Sequence, residues 1–225
     1  MDYRQLARYI DHTVLKADAL PSDVRKLCEE AVKYGFAAVC VNSCHVPLVR
    51  QLVHGEVGVA SVVGFPLGAA STYAKVQETR EAVRQGATEI DMVINIGWLK
   101  AGMMQAVEED IRAVVDAAGK ASVKVILEAA LLSDVEKTSV CEMAVAALAG
   151  FVKTSTGFGP GGATTADVAL MRQIVGDKLG VKASGGVRNL DLALAMLAAG
   201  ANRIGTSSGV AIVEECKSKY AASQG

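Results

Sequence analysis

The sequence predicts an α/β fold, a closed (β/α)8 TIM barrel that takes in residues 1–225 as one domain, and three features carry that expectation. A unit of helix, glycine and short apolar β-branched run recurs five times, at Gly35, Gly86, Gly150, Gly180 and Gly200. Eight short strand candidates alternate with amphipathic stretches, the pattern of parallel strands joined by cover helices. Charged residues fall inside several of those strands, where a sheet buried on both faces offers them no water.

Taken in order, the first strand is Tyr9–Thr13. Pro21 then opens a helix whose apolar residues Val24, Leu27, Cys28 and Ala31 recur at helical spacing, and Gly35 reads as the left-handed residue that closes it. The second and third strands are Ala37–Asn42 and Gly58–Gly64, and Gly86 closes the helix that leads into the fourth, Glu89–Asn95. Val123–Glu128 is the fifth. Ser133 and Glu136 form a capping box for a helix with Val140, Met143, Ala144 and Leu148 on its apolar face, and Gly150 separates it from the sixth strand, Phe151–Ser155. Gly180 and Gly200 precede the seventh and eighth strands, Val181–Ser184 and Arg203–Thr206. A doubly wound open sheet is the alternative, but it places its ligand at one switch point, whereas here polar residues are spread over many strands.

Composition narrows the function classes. With 51% hydrophobic and 21% charged residues in 225, the chain is globular, and the scaling of accessible surface gives about 10,000 Å² when folded. Twenty-three Lys+Arg against 24 Asp+Glu leave a net charge of −1, so no global field draws it to nucleic acid or anionic lipid. No apolar run reaches membrane-spanning length, and the start MDYRQ lacks the apolar stretch of a signal peptide, so a cytoplasmic enzyme with no membrane or nucleic-acid partner is expected. Five cysteines without a CxxC pair read as reduced thiols; Cys40, Cys44 and His45 lie close together but have no second ligand cluster, and no metal or cofactor is expected. Apolar helix faces serve equally to cover a barrel or to meet a second copy, which leaves a homo-oligomer, dimer or tetramer, as an open expectation.

Asp11, Asp91, Lys124, Lys153 and Lys182 all lie in mid-strand. Strand alternation puts Asp91 in phase with Val93 and Asn95, Lys124 with Ile126 and Glu128, Lys153 with Ser155, and Lys182 with Ser184, so that all are able to face one interior. A single lysine of this kind is ordinarily a stem lying along apolar surface with its ammonium at the rim. Two carboxylates, however, do not neutralise three lysines, so at least one ammonium is expected to be driven toward the free amine. A neutral lysine attacks carbonyls to form a Schiff base, and Lys153, near the C-terminal end of its strand, stands where barrel active sites form.

Glycine-rich loops follow the last three strands: STGFGPGGAT, SGGVR and GTSSGV. Loops after strands seven and eight are the usual phosphate site of a barrel, and Gly185, Gly186, Ser207 and Ser208 supply small residues for a close backbone approach. Gly157, Gly159 and Gly162 also satisfy a dinucleotide-binding spacing, but Asp177 precedes the next strand instead of ending it, and Pro160 interrupts the turn.

These segments resemble deoxyribose-phosphate aldolases. The resemblance runs over nearly the whole chain, through YIDHTVLK (9–16), VCVNSCHV (39–46), GFPLGAA (64–70), EIDMVINIG (89–97), VKVILEAALL (123–132), FVKTSTGFGPGGAT (151–164), VKASGGVR (181–188) and RIGTSSGVAIV (203–213). FVKTSTGF with VKASGGVR and EIDMVINIG is its most specific combination. It implies reversible cleavage of 2-deoxy-D-ribose 5-phosphate to D-glyceraldehyde 3-phosphate and acetaldehyde, without metal. By resemblance Lys153 is the Schiff-base lysine, Lys182 the second lysine that perturbs it and aids proton traffic, and Asp91 the acid that donates and accepts protons through water. Asp11, Thr13, Cys40 and Lys124 fall on the family's inner polar shell, and Gly157, Gly185, Gly186, Ser207 and Ser208 complete the substrate-binding set. Ser43 and Ala129 replace a proline and a threonine frequent in the family. Another phosphosugar lysine aldolase, a phosphosugar isomerase working by proton transfer alone and a non-catalytic phosphate-binding barrel are the competing readings.

Overall fold

The computed structural model describes residues 1–222. Eight parallel strands close into a barrel in sequence order: β1 (Ile10–Thr13), β2 (Ala38–Val41), β3 (Gly58–Val63), β4 (Glu89–Val93), β5 (Ser122–Ile126), β6 (Phe151–Lys153), β7 (Gly180–Ser184) and β8 (Arg203–Thr206), with β8 paired back onto β1. The helices are α1 (Tyr3–Ala7), α2 (Pro21–Tyr34), α3 (Val46–Leu52), α4 (Thr72–Arg84), α5 (Ile96–Lys100), α6 (Met104–Ala118), α7 (Asp134–Ala146), α8 (Thr165–Val175), α9 (Leu190–Ala198) and α10 (Gly209–Ala222). The accessible surface, 10182 Å², matches the scaling expectation. Among the described residues no helix is long and apolar enough to cross a membrane.

Local chemistry starts and stops the helices. Pro21 occupies the first turn of α2, and Gly35 closes it at φ 68°. Ser133 and Glu136 make the expected reciprocal capping box of α7, while Thr164 and Asn189 cap α8 and α9. Outward strand residues such as Val39, Ile90, Val125 and Val181 join the inner helix faces in one continuous apolar layer. Inside the barrel a small apolar cluster of Leu15, Cys40, Ala60 and Val62 lies on the side of β1 to β3. Buried charges occupy much of the rest of the interior.

Two of the five helix-closing glycines behave otherwise than expected. Gly150 and Gly180 are not left-handed; the positive φ falls on Leu148 (60°) and Gly176 (53°) instead. Leu148 lies beyond the end of α7 and is 83% exposed, so it does not belong to the apolar face. What Gly150 and Gly180 provide is space: a Cβ would lie 2.1 Å from Ser122 Oγ at the first and 2.1 Å from the Phe151 ring at the second. Several strands also end earlier than predicted. β6 stops at Lys153, and Asn95, beyond β4, caps α5 through the Trp98 N–H.

Candidate active site

Register brings the interior charges level. Asp91 pairs with Lys124 across β4 and β5, and Lys153 pairs with Lys182 across β6 and β7. Asp91 Oδ2 accepts hydrogen bonds from Lys153 and Lys182, both at 2.8 Å, while its Oδ1 accepts from Lys124 at 2.9 Å. Lys182 also pairs with Asp11 at 2.6 Å. Gly205 on β8 makes this geometry possible, since a Cβ there would meet Lys182 Cε at 2.9 Å. Asp11, Asp91, Lys124 and Lys182 are wholly buried and Lys153 is 2% exposed.

The cluster separates the lysines electrostatically. Burial, with the Lys182 charge beside it, outweighs the pull of Asp91 and lowers the Lys153 amine below the ordinary lysine range. Burial opposes charge on Lys182 too, but Asp11 and Asp91 overcome it and hold that ammonium well above its ordinary value. Against the same burial, three lysines keep the Asp91 carboxyl far below the carboxylate range. Burial and the neighbouring Asp91 raise the Cys40 thiol, whose Sγ lies 3.8 Å from Asp91 Oδ2.

A cavity of about 400 Å³ opens above this cluster at the C-terminal ends of the strands, with Lys153 lining it together with Thr13, Gly157, Gly185, Gly186 and Ser207. Lys75 shows why this contact matters. Burial lowers its amine as well, yet it is locked between Asp110, at 2.5 Å, and the Val93 carbonyl, away from that cavity. A depressed amine alone does not mark a nucleophile. A larger cavity, about 740 Å³, lies beside Ala37, Val57 and Arg203, at the N-terminal ends of the strands, and the Lys153 amine does not line it. Volume therefore does not locate the chemistry.

Six sequence candidates sit elsewhere than on the cavity wall. Asp11, Cys40, Asp91, Lys124 and Lys182 lie beneath it, buried within the barrel. Ser208 lies outside the lining, and its N–H already donates to Thr206 Oγ1 at 2.9 Å. The glycines of the loop after β6 serve packing. A Cβ on Gly159 would meet the Glu128 carboxylate at 2.7 Å, and one on Gly162 would lie 2.2 Å from the Gly185 oxygen. The dinucleotide-like spacing is thereby accounted for.

Residues not singled out from the sequence complete the site. Lys16 and Arg188 add two cations to the cavity rim. Glu128, buried in a left-handed conformation at φ 56°, accepts from the Thr156 hydroxyl and N–H and pins the loop after β6. Below the cluster, Glu89 pairs with Lys124, and Arg203 bridges Asp11 at 2.6 Å and Glu89 at 3.3 Å. Glu89 stands two residues before Asp91 and Arg203 two before Gly205, so the same alternation that exposed the other charges pointed to both. Among the described residues no group of three or more His, Cys, Asp or Glu side chains is arranged to hold a metal ion.

Comparison with known proteins gives one consistent result. Residues 5–215 match the family described as DeoC/LacD family aldolase. The chain is 60% identical over 213 residues to deoxyribose-phosphate aldolase 1 of Bacillus licheniformis, covering 94% of this chain and 96% of that one. It is 59% identical to the deoxyribose-phosphate aldolase of a Geobacillus species over 93% of this chain and 95% of the other. A solved structure described as the unique tetrameric structure of deoxyribose phosphate aldolase from Aeropyrum pernix superposes with a TM-score of 0.89 at 36% identity, over 97% of this chain and 93% of that one.

Proposed function

The chain belongs to the DeoC/LacD family of aldolases, and from that premise we propose that it reversibly cleaves 2-deoxy-D-ribose 5-phosphate to D-glyceraldehyde 3-phosphate and acetaldehyde through a Schiff base on Lys153. It is a carbon–carbon lyase. The observation that carries the assignment is that Lys153 alone among the interior barrel lysines lines the C-terminal cavity, with an amine that burial and Lys182 lower below the ordinary lysine range.

The amine nitrogen attacks the C1 aldehyde and water leaves, giving a protonated imine. As the C2–C3 bond breaks, its electron pair passes to the iminium to form an enamine, and the C3 hydroxyl loses its proton to become the aldehyde of glyceraldehyde phosphate. The enamine is then protonated at C2, and hydrolysis of the imine frees acetaldehyde and restores the amine. Each positioned proton transfer contributes about 10²- to 10⁴-fold.

Asp91 is better suited to anchoring than to donating protons. Three ammonium groups hold it ionised, and it lies out of reach of the cavity, so its role is to aim Lys153 and to fix Lys182 beside it. Lys182 supplies the repelling charge; like Asp91 it lies beneath the cavity, so proton traffic at the substrate falls to water in the cavity, with Lys182 acting through Lys153. Gly185, Gly186 and Ser207, helped by the Lys16 and Arg188 charges, receive the phosphate and set the distance from C1 to Lys153.

Borohydride reduction in the presence of acetaldehyde, followed by peptide mass analysis, tests this reading. An ethyl group on Lys153 and on no other lysine is expected. Labelling of Lys182 would reverse the two roles, and no label on either would remove the Schiff base from the account.

A further inference from the structure

The interior charges do not balance. Lys124, Lys153, Lys182 and Arg203 are four cations, and Asp11, Glu89 and Asp91 are three carboxylates. Cys40, against Asp91, stays a thiol because burial raises it, and Lys16 and Arg188 on the cavity rim add only like charge. One positive charge is therefore in excess within a largely buried network, and the cheapest relief is for one lysine to give up its proton. Lys124 has Glu89, Asp91 and Asp11 within 4 Å and Lys182 has two carboxylates, whereas Lys153 has only the shared Asp91.

We propose that Arg203 and Glu89 are positioning residues that set the charge count of the barrel interior from below and so determine how readily Lys153 exists as the free amine. Neither lines the cavity that Lys153 opens onto, and Arg203 reaches solvent only through the cavity at the opposite end of the barrel. Arg203 acts through Asp11 at 2.6 Å, Asp11 through Lys182 at 2.6 Å, and Lys182 through the Asp91 oxygen that also holds Lys153. Glu89 acts through Lys124 and Asp91. The inference rests on Lys153 being the working amine; the charge count itself stands without that reading.

The two residues then have opposite effects. Arg203→Met leaves three lysines against three carboxylates, so Lys153 keeps its proton and its free-amine fraction below the midpoint falls about tenfold, one pH unit upward. Glu89→Gln leaves two positive charges in excess and moves the midpoint down by about as much. Arg203→Lys preserves the count and the midpoint, and the double variant Arg203→Met/Glu89→Gln returns it near the starting value.

The experiment is the pH dependence of reductive methylation of Lys153 by formaldehyde and cyanoborohydride, scored by peptide mass on the full chain, with circular dichroism as the folding check. Opposite shifts in the two single variants support the proposal. A structural role alone lowers the yield of folded protein in both without moving the midpoints apart, so shifts of one sign, or none, would overturn it. If Arg203→Met does not fold, Glu89→Gln must still lower the midpoint, and an unmoved midpoint there overturns the proposal by itself. Failure of the aldolase reading shows separately, as absence of the acetaldehyde adduct in the unaltered protein, and leaves the methylation profile readable.

Discussion

Lys153 and Lys182 donate to one and the same oxygen, Asp91 Oδ2, each at 2.8 Å. Two ammonium groups that converge on a single buried oxygen repel each other across it. Asp11, at 2.6 Å from Lys182 but not paired with Lys153, decides which of them keeps its proton. The acid–base division of the site follows from this asymmetry.

Replacing Lys182 by leucine keeps most of its stem and removes the repulsion. Lys153 then binds its proton more tightly, so imine trapping slows at neutral pH and partly recovers in alkali, with about 1.4 kcal/mol for each pH unit of displacement. The check is the rate of borohydride trapping against pH in a protein shown to be folded. An unmoved profile with lowered turnover would instead assign Lys182 to direct proton transfer.

The loops after β7 and β8 make unequal contributions to the cavity, and substitution separates them. Ser207 lines it; Ser208 does not, and its N–H is committed to Thr206. Ser207→Asp is expected to raise KM for the phosphorylated sugar about tenfold or more, with a much smaller effect on plain 2-deoxyribose, because a carboxylate there repels phosphate. Ser208→Asp has the smaller effect of the two. Equal losses on both sugars would place the phosphate elsewhere.

At the bottom of the barrel, Gly180→Ala tests packing. Its Cβ would fall 2.1 Å from the Phe151 ring, over which the Lys124 and Arg203 charges lie at 5.9 Å and 5.7 Å. The ring has to move, at a cost of about 1–3 kcal/mol read as a lower denaturation midpoint. Unchanged stability would mean that the ring has room to spare.

Much of the site was legible because a parallel barrel turns charge into an anomaly. Asp11, Asp91, Lys124, Lys153 and Lys182 stood out as polar residues in apolar strands, and period two assigned them a common face. Period two carries no depth. It did not show that Cys40, Asp11 and Lys124 lie under the cavity floor and that Lys153 alone of the three lysines reaches it. Glu89 and Arg203 escaped notice because each begins its strand, where a charge ordinarily meets water. Gly150 and Gly180 looked like helix stops because a glycine at a helix–strand boundary usually is one; the facing Ser122 and Phe151 that require them come from other strands or lie on the barrel's inner face. Such requirements are set by closure of the barrel.

The same charge network makes the fold sensitive to acid. Although burial opposes ionisation, Lys182, Lys124 and Arg203 bring Asp11 down from an ordinary 3.8 to about 2. A carboxyl whose value is lower in the folded than in the unfolded chain stabilises the fold above the unfolded value, and that stabilisation is lost as pH falls toward the folded one. The window is therefore about pH 4 to pH 2, and Asp11 contributes about 2 kcal/mol across it. Asp11→Asn removes this contribution to the slope. It also leaves Lys182 with Asp91 and Arg203 with Glu89 as their single remaining carboxylate partners, which costs up to about 3–5 kcal/mol near neutral pH. Denaturant unfolding at a series of pH values separates the two effects: the variant is less stable at pH 7, and its curve is flatter than that of the unaltered protein below pH 4. Parallel curves, displaced but equally steep, would show that Asp11 keeps an ordinary carboxyl in the folded barrel and that Asp91 alone carries the acid response.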